Sequence, residues 1–274
     1  MKTLVHLCAL VTATLIATPA FSQDLILTAP PRESAADGQT LYGPLADYLS
    51  SLLHKKVVYV HPASWFEYEH DMRKDKYDLV FDGPHFISWR IAHLGNTVIV
   101  RLPGTYQAYL LAKKSDDKIN SLDDMVGKQL CGLPSPNLTT VSILAAFTNP
   151  TRQPVLQGIR GGFTTVLKAL MDGQCETAVI RNVDYNQLLT PAEQASLKIV
   201  YKSVEFPEQG PTVSKRLSEP ERQQITQALT VGAGVNATLP IIHSVNKNVA
   251  HFIPAAQQDY LGFSQFLEGV IYGW

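Results

Sequence analysis

Residues 77–94 read YDLVFDGPHFISWRIAHL, and a change of character inside this stretch decides the fold. Residues 77–81 are a short apolar run, the pattern of a strand covered on both faces. Gly83 and Pro84 then mark a helix start. Proline suits the first turn of a helix because the N–H it lacks has no partner there. A buried strand that runs directly into a helix is half of a βα unit.

The same alternation extends on both sides. Upstream, DLILTAP (24–30) and KKVVYV (55–60) read as strands. Pro44 opens a helix with Leu45, Tyr48, Leu49, Leu52 and Leu53 on one face, and WFEYEHDMRKDK (65–76) is a shorter helix. NTVIVRL (96–102) closes this series. A second series follows the extended piece TYQAYLLAKK (105–114). SLDDMVGK is a small helix capped by Ser121 and stopped by Gly127. KQLCGL, PVLQGI, CETAVI and LKIVYKS are strands, while LTTVSILAAF, TTVLKALMDG and TPAEQASL are helices. Strands alternating with helices predict mostly parallel sheets covered on both faces. Because the alternation starts twice, two α/β lobes are expected.

After Phe206 the pattern lapses into PEQGPTVSKRL, a helix with a Ser218–Glu221 capping box, and an apolar tail with Tyr260, Leu261, Phe263, Phe266 and Leu267. A tail without alternation of its own is expected to pack back on the first lobe. The chain then crosses near residues 104 and 206. This gives lobe 1 as 23–103 plus 207–274 and lobe 2 as 104–206, with a hinge and an interlobe cleft, a preferred place for ligands.

The chain begins MKTLVHLCALVTATLIATPAFSQ. Lys2, an apolar run and small residues at Ala20 and Ser22 read as a secretory signal peptide over residues 1–22. Leu7 before Cys8 argues against a lipoprotein site. The 274 residues carry 23 Lys and Arg against 24 Asp and Glu, a formal net charge of −1, with no basic run. Nucleic acid and anionic membranes are therefore not expected partners. Cys131 and Cys175, the two remaining cysteines of an exported chain, are read as a structural disulfide; their spacing is wrong for a CxxC redox pair.

In open α/β sheets, ligands sit beyond the carboxyl ends of strands, where helix N-termini present free amides. Four such corners occur, at residues 30–34, 64–66, 82–85 and 135–140. The last, within LPSPNLTTV (133–141), reads either as a plain helix cap or as an oxyanion cradle built from the Thr139 and Thr140 hydroxyls. Trp65, His85, Trp89 and Tyr106 fall near loops. Taken singly each reads more readily as packing; Trp89, one turn inside a helix, reads as core, and Trp65 is the foremost ligand contact. GIRGGFTT (158–165) adds Arg160 beside a glycine pair, which is common loop punctuation. No GxSxG, HExxH or Walker pattern occurs, and the histidines lack tight metal spacing. No catalytic residue, metal ligand or cofactor site is assigned.

ESAADGQTLYGPLADYLSSL, MRKDKYDLVFDGPHF, GLPSPNLTT, GGFTTVLKALMDGQCETAV and FIPAAQQDYLGF occur in the order and spacing of one family. By these segments the chain resembles the phosphate/phosphite/phosphonate-binding components of bacterial ABC importers. The resemblance implies a type 2 periplasmic binding-protein fold, with two α/β lobes on a two-strand hinge closing around a small ligand. It places Trp65 as an aromatic ligand contact and Asp82, with Gly83, Pro84 and His85, at the first-lobe pocket. Thr139 and Thr140 fall in a Ser-Thr-Ser-type element whose first serine is here Leu138. Where the family has a Gly-Gly-His turn this chain has Gly161, Gly162 and Phe163, and Arg160 or Arg181 is the candidate replacement for the lost donor. Acidic groups to greet an aminoalkyl phosphonate are not evident at residues 180–183 or 209–211. With Tyr106 and Ser135, these residues make up the expected ligand-binding set.

The function implied is a monomeric periplasmic solute-binding protein that captures a small anionic ligand for an ABC permease. The alternative is a ligand-sensing adaptor for the periplasmic domain of a membrane histidine kinase. An exported enzyme on the same scaffold is disfavoured by the missing catalytic constellation.

Overall fold

The computed structural model describes residues 24–268; the signal peptide expected at 1–22 lies outside the described residues. The first series is β1 (Leu25–Thr28), α1 (Ala35–Leu53), β2 (Val57–Tyr59), α2 (Trp65–Arg73), β3 (Leu79–Asp82), α3 (Pro84–Leu94), β4 (Thr97–Val98) and β5 (Val100–Arg101). After β6 (Thr105–Tyr106) comes the second: β7 (Ala108–Lys113), β8 (Gln129–Gly132), α4 (Leu138–Leu144), β9 (Val155–Gly158), α5 (Phe163–Met171), β10 (Thr177–Arg181), α6 (Asn182–Leu188), α7 (Pro191–Ser196) and β11 (Leu197–Lys202). The chain returns through β12 (Phe206–Pro207) to β13 (Gly210–Val213), α8 (Glu219–Thr230), α9 (Gly234–Val245), β14 (Ile253–Pro254) and α10 (Gln265–Glu268).

Two five-stranded sheets result, in the orders β2-β1-β3-β13-β4 and β11-β7-β10-β8-β9. They are mixed rather than mostly parallel. β1, β2 and β3 run parallel, as do β8, β9 and β10, but β13 is antiparallel to β3 and β7 is antiparallel to β10. The cause lies in the connection between the lobes. β6 and β12 pair antiparallel, Tyr106 opposite Phe206, as a two-stranded ribbon. β7 begins just beyond this ribbon, with Ala108 opposite Arg181 at the end of β10, and β13 begins with Gly210 opposite Asp82 at the end of β3. A strand that enters a sheet at the carboxyl ends of its neighbours must run against them.

Three local expectations change. Helix α1 starts at Ala35 rather than at Pro44, because the Ser34 hydroxyl accepts from the Asp37 amide and caps it. Pro44 then lies mid-helix on the solvent side. The segment SLDDMVGK forms only a 3-10 turn at Asp123–Met125, held by the Asp124 carboxylate on the amides of Asn120 and Ser121. The strand β13, hidden in PEQGPTVSKRL, threads between β3 and β4. It requires Gly210, since a Cβ there would come within 2.1 Å of the Val100 carbonyl oxygen.

Each lobe has its own apolar core, and a further cluster bridges them: Tyr106 and Phe206 of the ribbon, Leu138 and Val141 of α4, and Phe263 and Phe266 of the tail. The tail is fixed to the first lobe. The Ser264 amide donates to Ser88 Oγ at 3.0 Å, Glu268 pairs with His93, and Leu267 is buried beside Trp89. It also reaches the second lobe, because Phe263 and Phe266 pack edge-on to Phe206 at 4.9 and 5.4 Å.

Cys131 and Cys175 form a disulfide with Cα atoms 5.8 Å apart, closing a loop with a sequence separation of 44. It ties β8 to the turn before β10 inside the second-lobe core. On chain entropy, replacing both cysteines by serine is expected to lower stability by up to about 4 kcal/mol. Urea unfolding of the double variant against the oxidised protein measures this.

Candidate functional site

The ribbon places the carboxyl ends of β1, β3, β8 and β10 around one interlobe region, and the buried charged residues Asp82, Arg90, Arg181, Asp184 and Glu208 lie at or near these ends. Asp82, the last residue of β3, is fully buried. One carboxylate oxygen takes Arg90 Nη1 at 2.6 Å and the Tyr68 hydroxyl; the other accepts the Gly83 amide at 2.8 Å. Arg90 also donates to the Tyr68 hydroxyl. Asp82 is thus a neutralised anchor, and the Arg90 that secures it is itself only 1% exposed. Gly83 and Pro84 serve as N-cap and first residue of α3.

Arg32, in the corner after β1, reaches this anchor loosely. Its Nη2 lies 3.5 Å from the second Asp82 oxygen, and its Nη1 donates to Gln209 Oε1 at 3.4 Å, just past the ribbon. About a third of the side chain, 32%, is exposed. Beside it, burial pushes the Glu33 carboxyl above the ordinary range, and Glu33 Oε1 has no partner among the described residues. His85, on the first turn of α3, is buried, with Nε2 2.9 Å from the Pro136 carbonyl oxygen of the second lobe. Burial pulls this imidazole down to about 4, so it is neutral at pH 7. Trp65 stacks on Phe86 at 6.2 Å and meets Tyr68 edge-on. Phe86 in turn contacts His85 at 4.2 Å, so Trp65 and His85 share one aromatic wall.

Tyr106 is buried in the ribbon, edge-on to Phe206 at 6.1 Å, and burial raises its hydroxyl pKa. The second-lobe corner carries Ser135 before a cis bond to Pro136. Thr139 and Thr140 are fully buried, with both hydroxyl protons directed inward: Thr139 donates to Asn137 Oδ1 and Thr140 to the Leu133 carbonyl, each at 2.6 Å. The Asn137 side chain also accepts the Thr139 amide at 3.1 Å, the geometry of an N-cap. Leu138 fills the bridging cluster. Arg181 is held by Asp184 through bonds of 2.6 and 3.0 Å, lies 5.3 Å over the Phe163 ring, and donates to the Val245 carbonyl of the first lobe at 3.3 Å. Arg160, beyond β9, is exposed and makes no hydrogen bond or ion pair among the described residues.

The structure therefore gathers Trp65, Asp82, Gly83, Pro84, His85, Tyr106, Ser135, Thr139, Thr140 and Arg181 around the ribbon and its adjoining strand ends, and leaves Arg160 at the surface. Sequence reasoning missed five charged residues, the first of them Arg90 in the second turn of α3. Arg32 and Glu33 lie inside a corner that it marked, directly after Pro30 and Pro31. Asp184 and Glu208 stand one residue outside the windows searched for acids. Glu208 is buried, and desolvation raises its carboxyl pKa against the opposing Arg181 charge. A charged residue following Pro207 in an apparent interlobe crossing was the available signal. Among the described residues no His, Cys, Asp or Glu cluster is arranged to hold a metal ion.

Comparison with known proteins agrees with this architecture. Residues 27–260 match the family described as ABC transporter, phosphonate, periplasmic substrate-binding protein. A Mycolicibacterium smegmatis protein called "Phosphate-import protein PhnD" is 24% identical over 213 residues, 67% of this chain and 64% of that protein, so the alignment spans less than two thirds of the relative. A Xanthomonas citri protein solved with ATP superposes with a TM-score of 0.70 at 14% identity, covering 90% of this chain and 98% of the other. PhnD1 from Prochlorococcus marinus, solved in complex with methylphosphonate, gives 0.64 at 15% identity, covering 89% and 97%. At such identities the structural likeness establishes the two-lobed fold. Taken with the match across residues 27–260, it makes this chain a member of the phosphonate-type periplasmic substrate-binding family of ABC transporters.

Proposed function

We propose that the protein is a periplasmic, monomeric solute-binding component that captures a small oxyanion, of the phosphonate, phosphite or phosphate kind, and delivers it to an ABC permease. In this reading the lobes 23–103 plus 207–274 and 104–206 pivot on the β6–β12 ribbon. The observation that carries it is the contact of His85 with the Pro136 carbonyl at 2.9 Å, where a first-lobe corner meets a second-lobe corner. A cleft whose two walls touch through strand-end loops is built to enclose a small molecule. The phosphate and methylphosphonate named for two similar proteins agree with the ligand class. Trp65, Tyr106 and Ser135 line the enclosure, and Thr139 and Thr140 shape its second-lobe wall through Asn137 and Leu133.

Titration against phosphate, phosphite, methylphosphonate, 2-aminoethylphosphonate and sulfate, followed by calorimetry and thermal shift, tests the reading. A ligand at 100 times its Kd stabilises by about 2.7 kcal/mol, an easily seen rise in Tm. Silence from the whole panel refutes it. Trp65→Ala is expected to weaken affinity while leaving the order of preference among anions unchanged.

Glu208 gives a pH signature. Its folded pKa lies above the unfolded value, so the ionised carboxylate costs stability at neutral pH, and the cost disappears as pH falls below the unfolded pKa. Glu208→Gln is therefore expected to raise the unfolding midpoint of the protein without added ligand at pH 8 and to leave it unchanged near pH 4. Denaturation curves at the two pH values check the sign.

A further inference from the structure

The arginines around the ribbon differ in how fully the protein uses them. Arg90 is enclosed by Asp82 and Tyr68. Arg181 is enclosed by Asp184, the Val245 carbonyl and the Phe163 ring. Arg32 makes only two long contacts, 3.4 Å to Gln209 and 3.5 Å to Asp82, and keeps the rest of its donor fork without an acceptor among the described residues. The hydroxyl protons of Thr139 and Thr140 point inward to Asn137 and Leu133. Of these candidate donors, Arg32 alone combines a charge with open N–H groups beside the ribbon.

Two acceptors near it are equally under-used. The Pro136 carbonyl can only accept, so His85 Nε2 carries the hydrogen and Nδ1 of the neutral ring is a bare lone pair. That Nδ1 is buried with no partner among the described residues, in a side chain 2% exposed. It lies against the bare Cα of Gly83, where a Cβ would come within 3.2 Å, and within electrostatic reach of Arg32 and Asp82. Glu33 Oε1 is the second such acceptor. Buried acceptors in folded proteins find donors. A fully deprotonated anion offers only acceptors, which would face these lone pairs unfavourably.

We propose that Arg32 is the charge partner of the ligand and that His85 Nδ1, assisted by Glu33, reads a hydrogen-bond donor on the same ligand. The protein then selects an anion that keeps a proton on its oxyanion head, a phosphonate or phosphate monoanion, over a sulfonate or sulfate of the same shape. The inference rests on the solute-binding reading above and adds the residues and the criterion of selection. The fork supplies charge-assisted bonds to the deprotonated oxygens, and the remaining P–O–H donates to the imidazole. Sites built to hydrogen-bond a ligand donor reject isosteres that lack it far more strongly than shape alone allows.

Calorimetry near pH 6 with two matched pairs, methylphosphonate against methanesulfonate and phosphate against sulfate, tests the proposal. Phosphate-type second ionisations fall near this pH, so protonated heads are abundant. The wild-type protein is expected to bind at least one phosphorus anion roughly 100-fold or more tightly than its sulfur counterpart. Arg32→Met should weaken that anion by a comparable factor, and Arg32→Lys by less, both with unchanged unfolding midpoints. His85→Phe should narrow the phosphorus-to-sulfur ratio to below about tenfold. His85→Gln, which can donate to Pro136 and still accept, should preserve most of it. Equal affinity for the two members of a pair, or wild-type affinity in Arg32→Met, overturns the proposal and leaves solute binding intact. Failure of every anion to bind the wild-type protein overturns both.

Discussion

The β6–β12 ribbon dictates where everything else can lie. Both strands that leave it, β7 and β13, start beside the last residues of β10 and β3 and must run against them. The carboxyl ends of both parallel triplets are thereby brought to the hinge, and with them the loops that lead into helices. A sheet of α/β type offers its ligand site at those ends, so the antiparallel strands turn two separate sites into two walls of one cleft. The close passage at Gly210, with no room for a side chain beside the Val100 carbonyl, shows how little slack the connection has.

Charge is buried at these ends for geometry rather than for stability. A buried ion pair gains little over an apolar pair of the same size, because desolvation cancels most of the attraction. What Asp82 and Arg90 achieve is a fixed carboxylate, with Gly83 held at its other oxygen and Arg32 drawn towards it. Arg181 is fixed in the same way by Asp184, and the Phe163 ring beneath it adds a contact typically of about 0.5 to 2 kcal/mol. Two apolar side chains have structural consequences here: Phe163 supports an arginine, and Leu138 supplies apolar surface to the bridging cluster.

Most of the fold was legible because it depends on local signals. The strand at β3, the Gly83 and Pro84 start of α3 and the capping boxes at Thr190 and Ser218 are each specified within a few residues. β13 was not, since Gly-Pro-Thr-Val carries no alternation and is a strand only because β3 and β4 offer it partners more than 100 residues away. The site divides in the same manner. Strand ends marked Asp82 and His85 as candidates, but only tertiary structure reveals that Asp82 is closed off by Arg90 while Arg32 meets Gln209 across a separation of 177 residues. At the threonines, a polar helix start looks alike in sequence whether its hydroxyls point out to a ligand or, as here, in to Asn137 and Leu133.

The tail adds a different kind of constraint on closure. Towards the first lobe its contacts combine hydrogen bonds, Ser264 with Ser88 and Glu268 with His93, with the burial of Leu267 beside Trp89, whereas towards the second lobe they are aromatic and aliphatic surfaces around Phe206 and Leu138. Hydrogen bonds resist displacement in any direction, but apolar surfaces can slide so long as they stay covered. The tail is therefore tied to the first lobe by hydrogen bonds and meets the second through apolar surface. Away from the crossings, directional contacts between the lobes among the described residues include His85 with Pro136, Arg181 with Val245, and Gln187 with Asn246 at 2.6 Å. Of these, the His85 bond joins two strand-end corners, so one residue both links the lobes there and carries a buried nitrogen with no partner among the described residues.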